Sequence, residues 1–183
     1  MPSLCKVVGS VGEQRVGGGS AWVYSEDGII VTNWHVLQAI RASGAREIQA
    51  LFDDGRAYRV DASSILYDSE ADIAVARLAA PRGTRFRPLR VGSSSALRRG
   101  DLVTVLGAPL GGSLVPTTGT LSGVRYVADD DMMNSVLNSR GDWCLLQVDA
   151  AMSSGSSGGP IVNADGEVRR MTAIAVRCAV LRE

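Results

Sequence analysis

The sequence predicts an all-β protein, built as a sandwich or as a pair of barrels. Short apolar runs rich in Val, Ile, Leu and Thr follow one another along the chain. Only one segment has the composition of a helix, and one brief helix is too little for an α/β fold. Asp-Gly pairs of the kind that close β-hairpins separate several of the runs: Asp27-Gly28, Asp54-Gly55 and Asp165-Gly166.

The strands are predicted from these runs, in two groups of similar size. The first group comprises 4–8, 20–24, 28–32, 47–52, 58–62 and 72–78, and the second comprises 102–106, 117–124, 144–149 and 172–180. Within the first group, the stretch WHVLQAIRASG predicts a helix from Trp34 to about Ala42, which Gly44 ends.

The segment between the two groups differs in composition from the strands on either side. Residues 81–100 are basic and contain proline and a run of serines. We interpret residues 91–100 as a crossover linker. It would join an N-terminal β-barrel over residues 1–90 to a C-terminal β-barrel over residues 101–183, the second being incomplete at its end.

Composition excludes several classes of function. Lys+Arg and Asp+Glu each number 19, so the chain lacks the surplus of basic residues that would indicate a nucleic-acid partner. No apolar run approaches the roughly 20 residues that span a bilayer. The first residues lack a signal-peptide pattern. Neither observation indicates the compartment of the protein. With 3 cysteines and 1 histidine there is no disulfide framework and no metal-ligand spacing. We therefore expect no cofactor and no metal, and the acidic run at 129–131 lacks the rest of a calcium loop.

A reactive serine is indicated by the stretch GSSGGP at 155–160. Gly/Ser stretches are often flexible linkers, but this one continues at once into an apolar run and an Asp-Gly turn. Glycines two residues before and after Ser157 allow a tight turn that presents its side chain and directs backbone N–H groups inward. A serine nucleophile needs such a turn and a nearby base. We therefore interpret Ser157 as a candidate nucleophile.

His35 and Asp72 are the candidate partners of Ser157. His35, the only histidine, follows an apolar strand and opens the predicted helix, which places it at a rim. Asp72 precedes a strand predicted to be buried, so its carboxylate needs a partner, either in a turn or in an imidazole N–H. The order His35, Asp72, Ser157 is that of chymotrypsin-type proteases. The Gly-x-Ser-x-Gly motif of α/β hydrolases instead requires a histidine after the serine.

Four stretches resemble the trypsin-like serine protease superfamily, and most closely its HtrA/Deg branch. They are GGGSAWVYSEDGIIVTNWHVL, ADIAVARL, GDLVTVLGAPLGG and LLQVDAAMSSGSSGGPIVNADGEV, which together span most of residues 17–168 in the family's order. The resemblance implies a two-barrel chymotrypsin-like fold with the site in the cleft between the barrels. It also implies hydrolysis of peptide bonds through an acyl-enzyme. The expected substrates are polypeptides, including unfolded proteins, and the expected role is protein quality control or processing.

The same resemblance implies the roles of individual residues. His35, Asp72 and Ser157 would form the catalytic triad. The oxyanion hole would come from backbone N–H groups of the segment Gly155, Ser156 and Ser157. Ser156 stands where trypsin-like zymogens carry the aspartate that receives a new N-terminus, so we predict that no activation cleavage is needed.

Further expectations from the family concern regulation and assembly. Activity would depend on the ordering of a loop, for which residues 128–142 are the candidate. Members of this branch often form trimers, so a homotrimer is expected on the resemblance alone. We also expect no PDZ domain in this chain, although many relatives carry one.

The sequence departs from the family after DGEV. Arg169, Arg170 and Met171 replace an apolar-Gly-apolar strand. Two arginines in a buried strand cost several kcal/mol unless they reach solvent or a carboxylate. The chain also ends at Glu183, before the last strand and helix of the family, so we expect a truncated or minimal form.

The strand predicted at 172–180 is expected to form one wall of the primary specificity pocket. Its residues Ile174, Ala175 and Val176 would contact the substrate, and no acidic residue stands where a trypsin pocket holds one. We therefore predict a preference for small or aliphatic residues before the scissile bond.

Two functions from different classes remain open. The first is a working serine endopeptidase, which the presence of all three triad side chains favours. The second is an inactive or latent protease-fold protein that serves as a binding or regulatory module. The incomplete second barrel favours this alternative, because a triad displaced by about 1 Å loses much of its rate.

Overall fold

A computed structural model describes residues 2–93, 97–126 and 144–171. Within them the protein is mostly β, with one α-helix, α1 (Trp34–Ala42), at the predicted bounds. The strands before the predicted crossover are β1 (Leu4–Val11), β2 (Gln14–Val23), β3 (Ile29–Thr32), β4 (Glu47–Phe52), β5 (Ala57–Val60), β6 (Leu66–Asp68) and β7 (Ile73–Ala79). Those after it are β8 (Leu102–Gly107), β9 (Val115–Tyr126), β10 (Cys144–Val148), β11 (Pro160–Val162) and β12 (Val168–Met171).

Strands β1–β7 form a closed barrel. The order β3-β2-β1-β4-β5-β7, together with the pairing of β3 with β7, closes six strands into a ring, and β6 also pairs with β7. Inward-facing apolar side chains alternate along β1 and β4 and meet the apolar face of α1 in one core. The largest fully buried members of this core are Val7, Val23, Ile30, Leu37 and Ile40.

Strands β8–β12 form a half-barrel in the order β10-β9-β8-β11-β12. Its core contains Val103, Val105 and Ile161, with Leu121 and Leu146 beside them. The prediction of an all-β protein with a two-barrel chymotrypsin-like fold is therefore confirmed, the described strands of the second unit forming a half-barrel. The domain bounds 1–90, 91–100 and 101–183 stay a prediction, and the strand predicted at 172–180 lies outside the described residues.

The predicted hairpin turns occur where the Asp-Gly pairs stand. Gly28, Gly55 and Gly166 have φ of +89°, +83° and +72°, and they lie between antiparallel partners β2–β3, β4–β5 and β11–β12. Three observed strands have no counterpart among the predicted runs: β6, β11 and β12, the last expected only from the family resemblance. Strands β6 and β11 are each only 3 residues long. All the side chains of β6 are exposed and all those of β11 are buried, so neither has the alternation that marks a strand.

The crossover segment adds to the edge of the half-barrel. Val91 pairs with Val168 of β12 in parallel, and the N–H of Gly92 donates to the carbonyl of Val168 at 2.9 Å. The N–H of Val168 in turn donates to the carbonyl of Arg90 at 2.7 Å. Residues 90–92 of the segment between the two β units are thus hydrogen-bonded along β12.

Arg169 of β12 reaches a carboxylate, as the sequence leads us to expect of an arginine in a buried strand. Its side chain is 11% exposed, and its Nη2 contacts Glu167 Oε2 at 2.8 Å, while Nη1 donates to the carbonyl of Ser93. Arg90 approaches the other oxygen of Glu167 at 4.0 Å. The carboxylate of Glu167 therefore compensates the charge that replaces the apolar strand of the family.

Replacing Glu167 with alanine is expected to lower the free energy of unfolding by about 3 kcal/mol, because the guanidinium of Arg169 would stay buried without its carboxylate. Urea denaturation measures this. The control is Glu26→Ala, which breaks the exposed pair with Arg85, whose side chains are 65% and 78% exposed. We expect less than about 1 kcal/mol there, and equal effects of the two changes would contradict the prediction.

No helix among the described residues is long and apolar enough to cross a membrane.

Candidate active site

His35 and Asp72 are joined by two hydrogen bonds at one end of the closed barrel. His35 is the second residue of α1, and Asp72 directly precedes β7. Nδ1 of His35 lies 2.7 Å from Oδ2 of Asp72, and the backbone N–H of His35 donates to Oδ1 at 2.8 Å. A carboxylate beside Nδ1 favours the tautomer with its proton there, so Nε2 is left as an acceptor. The imidazole is thereby oriented by both oxygens of one carboxylate.

The backbone of Asp72 has an unusual conformation that its neighbours maintain. Its φ of +52° is left-handed, which Asp and Asn adopt more readily than most residues. Its carbonyl accepts hydrogen bonds from Nδ2 of Asn33 at 2.8 Å and from the backbone N–H of Trp34 at 3.2 Å. The three residues Asn33 to His35 thus all donate to Asp72. Sequence reasoning missed Asn33, although its place two residues before the only histidine is a usable signal.

Ser157 lies in a buried loop that contacts the first barrel close to His35. It is 4% exposed, and its carbonyl accepts from the N–H of Ser20 in β2 at 2.8 Å. A Cβ added to Gly158 would lie 3.2 Å from the backbone N of Asn33. Oγ of Ser157 and Nε2 of His35 are buried atoms without a hydrogen-bond partner among the described residues. The pair that proton transfer would join is thus not hydrogen-bonded, a common situation in sites without substrate.

Two tight turns shape the loop around Ser157. The N–H of Ser156 donates to the carbonyl of Ser153 at 3.0 Å, and the N–H of Gly159 donates to the carbonyl of Ser156 at 3.0 Å. Within the described part of the chain, the N–H groups of Gly155 and Ser157 donate to no other group. Of the three residues predicted for the oxyanion hole, Ser156 therefore has its donor already engaged, and Gly155 and Ser157 keep theirs available.

Gly158 occupies a place where a side chain does not fit. Its φ is +84°, and an added Cβ would overlap the carbonyl of Ser20 and the hydroxyl of Thr32. Gly55 has the same backbone conformation, with φ +83°, but an added Cβ meets nothing within 4 Å.

Gly158→Ala is therefore expected to cost more than about 4 kcal/mol of stability, whereas Gly55→Ala costs about 1–2 kcal/mol for its left-handed backbone alone. Thermal unfolding of the two variants, monitored by circular dichroism, checks the difference. Similar melting temperatures would show that the loop yields easily at Gly158 and would contradict the prediction.

Asp149 attaches the entry of this loop to β9. Its carboxylate accepts from the backbone N–H and, at 2.9 Å, from the hydroxyl of Thr120. These two hydrogen bonds, the backbone one first, hold the pKa of Asp149 below its usual range. Thr117 adds a hydrogen bond from its hydroxyl to the carbonyl of Ala151 at 2.8 Å. Sequence reasoning missed Asp149, for which the only signal is an acidic residue directly after a strand.

Two predicted parts of the site lie outside the described residues. They are the pocket wall with Ile174, Ala175 and Val176, and the candidate regulatory loop at 128–142. Among the residues that the structure does describe, no group of three or more His, Cys, Asp or Glu side chains is placed to hold a metal ion.

Comparison with known proteins gives a consistent family. Residues 19–169 match the model of the trypsin-like peptidase domain. The chain is 35% identical over 150 residues to Protease Do-like 1, chloroplastic, of Arabidopsis thaliana, covering 82% of the chain and 31% of that protein. It is 33% identical over 176 residues to serine protease HTRA1A of Danio rerio, covering 96% of the chain and 34% of that protein. The chain thus spans about a third of the length of these curated relatives.

A solved structure agrees with these relatives. An HtrA-type protease with a tripeptide superposes with a TM-score of 0.71 at 25% sequence identity, covering 98% of this chain and 54% of that one. The resemblance to trypsin-like proteases of the HtrA/Deg branch, predicted from four stretches of sequence, is confirmed.

Proposed function

The chain belongs to the trypsin-like peptidase domain family, and on that basis we propose that it is a serine endopeptidase of the HtrA/Deg type that cleaves polypeptides. The observation that carries the proposal is the arrangement of His35. Its Nδ1 is held by Asp72 at 2.7 Å, and its Nε2 is free of other partners within the described residues, as is Oγ of Ser157. A base whose Nε2 is unoccupied and a hydroxyl with no competing partner are both available for a proton transfer once substrate brings them within hydrogen-bond reach.

The mechanism follows from the role of each group. Oγ of Ser157 attacks the carbonyl carbon of the substrate, while Nε2 of His35 takes the hydroxyl proton. Asp72 keeps the imidazole in its tautomer and stabilises the imidazolium. The N–H groups of Gly155 and Ser157 donate to the oxyanion of the tetrahedral intermediate. His35 then gives the proton to the leaving amine. In deacylation, water attacks the acyl carbonyl while His35 takes its proton, and His35 returns that proton to Oγ of Ser157 as the acyl group leaves.

The substrates and the assembly state are part of the same proposal. Polypeptides, unfolded proteins among them, fit the family, and small or aliphatic residues before the scissile bond stay a prediction because the pocket wall at 172–180 lies outside the described residues. A homotrimer rests on the resemblance alone.

A latent protease-fold module is the second candidate. The half-barrel and the missing hydrogen bond between His35 and Ser157 favour it. Substrate or a partner would then have to bring the nucleophile into reach of its base.

Labelling with a fluorophosphonate probe separates the two candidates, because the probe reacts only with an activated serine. Mass spectrometry locates the adduct, with Ser157→Ala as the negative control. Ser154→Ala is the matched control, since Ser154 is an exposed serine of the same loop. One adduct, on Ser157, supports the endopeptidase. A folded chain that takes no label would support the latent module.

A further inference from the structure

We infer that Ser20 is a positioning residue of this site, whose hydroxyl holds the nucleophile loop in its oxyanion-binding conformation. The inference rests on the proposed function and extends it to a residue of the first barrel that touches no reacting atom. The contacts of Ser20 link β2, the end of β8 and the loop of Ser157.

The hydroxyl of Ser20 uses both its donor and its acceptor capacity across the two β units. Ser20 is 1% exposed. Its Oγ donates to the carbonyl of Gly155 at 2.7 Å and accepts from the N–H of Ala108 at 2.9 Å. Ala108 directly follows β8 of the half-barrel, whereas Ser20 belongs to β2 of the closed barrel. One buried hydroxyl therefore connects the two β units to the loop of the nucleophile.

The backbone of Ser20 supports the same loop on the other side of Ser157. Its N–H donates to the carbonyl of Ser157 at 2.8 Å, and its own carbonyl accepts from the hydroxyl of Thr32 at 2.7 Å. The loop is thus attached to Ser20 at Gly155 by the side chain and at Ser157 by the main chain. Removing the hydroxyl detaches only the first of these points.

The contacts of Ser20 fix the peptide plane that lies between the two oxyanion donors, directly after the N–H of Gly155. The carbonyl of Gly155 and the N–H of Ser156 belong to one plane, which Ser20 holds at the carbonyl and Ser153 at the N–H. Gly155 has φ +95° and no Cβ to restrict rotation. The N–H of Gly155 lies in the preceding peptide plane, which is joined to this one only through the φ and ψ rotations of Gly155. Without Ser20, the second plane is held at its N–H alone, so these rotations are less restrained and the N–H of Gly155 loses its fixed direction.

The end of β8 packs on the loop independently of the hydroxyl. A Cβ added to Gly107 would lie 2.9 Å from Cα of Ser156. Loss of the Ser20 hydroxyl therefore leaves the loop in contact with β8, and we expect a folded protein in which the peptide plane after Gly155 is held only at its N–H.

Ser20→Ala is expected to lower kcat for a peptide substrate by about 10- to 100-fold and to leave KM within about two-fold, because the loss falls on the transition state. The matched control is Thr32→Val, which removes the neighbouring buried hydroxyl bonded to the carbonyl of Ser20 but leaves Gly155 attached. Thr32 is also 1% exposed. A role of Ser20 in stability alone predicts equal kcat in both variants, and that result would overturn the inference.

Ser20→Cys keeps a weaker donor and acceptor at the same place. Its kcat is expected between those of the wild type and Ser20→Ala. Should the alanine variant fail to fold, a wild-type kcat in Ser20→Cys overturns the inference.

We call the hydrogen bond from the N–H of Ala108 to the Ser20 hydroxyl, which links the two β units, the bridge. Amide hydrogen exchange of Ala108, followed by NMR, tests this bridge without any need for activity. Ser20→Ala should exchange this amide at least about 10-fold faster, and Thr32→Val should not. Unchanged exchange in Ser20→Ala overturns the bridge. A wild type that neither cleaves nor labels, combined with faster exchange in Ser20→Ala, would refute the proposed function and still support the bridge.

Discussion

Ser157→Ala is expected to lower kcat for peptide hydrolysis by about 10⁶-fold. The hydroxyl of Ser157 is the only nucleophile that the proposal assigns, and no acyl-enzyme forms without it. A residual rate of about 10³–10⁴ over uncatalysed hydrolysis should remain, because substrate binding and the N–H groups of Gly155 and Ser157 persist. Cleavage of a fluorogenic peptide, with KM determined separately, measures the effect, and KM should change little.

Two comparisons make this result specific to Ser157. Ser154→Ala changes an exposed serine three positions earlier and should keep full activity. The double variant Ser157→Ala with His35→Ala should be no slower than Ser157→Ala alone, since residues that act as a unit are not additive. Loss of less than about 100-fold in Ser157→Ala would place the nucleophile elsewhere.

Asp72→Asn is expected to lower kcat by about 10⁴-fold. An asparagine can present its N–H₂ group to Nδ1 of His35, which favours the tautomer with the proton on Nε2. That tautomer cannot take the proton of Ser157. The second oxygen of Asp72 also accepts the backbone N–H of His35 at 2.8 Å, so the amide additionally weakens the attachment of the first turn of α1.

Asparagine is the suitable replacement at this position because of the backbone. Asp72 has φ +52°, a conformation that Asn tolerates and Ala does not. Asp72→Asn should therefore melt close to the wild type, whereas Asp72→Ala should melt lower. Comparison of kcat and melting temperature for both variants separates catalysis from folding. An Asn variant with more than about a tenth of the wild-type kcat would refute the role of Asp72.

The order of elements and the candidate triad were open to prediction because they depend on local patterns. Alternation of apolar residues marks β1, β4 and β7, and Asp-Gly pairs mark the turns after β2, β4 and β11. The chain order of His35, Asp72 and Ser157, with glycines on both sides of the serine, identified the site residues as candidates. The predicted contact between His35 and Asp72 is present at 2.7 Å.

Other features followed no local pattern. Arg169 in β12 contradicts the apolar pattern of a buried strand, and only the position of Glu167 and of the Ser93 carbonyl explains how its charge is accommodated. The short strands β6 and β11 lack alternation because each is uniformly exposed or uniformly buried. For Arg169, β6 and β11, the exposure of the side chains therefore depends on tertiary contacts, such as that with Ser93, and not on a periodic pattern in the sequence.

The sequence by itself determined the fold class, the helix bounds, the turns and the identity of the candidate triad, since each is written in residues close together or in motifs of set spacing. Tertiary structure alone decided how the nucleophile loop is held. The hydroxyl of Ser20 meets Gly155 across 135 positions and Ala108 across 88. A serine in a strand has no local property that predicts such partners, because they exist only once the two β units have packed against each other.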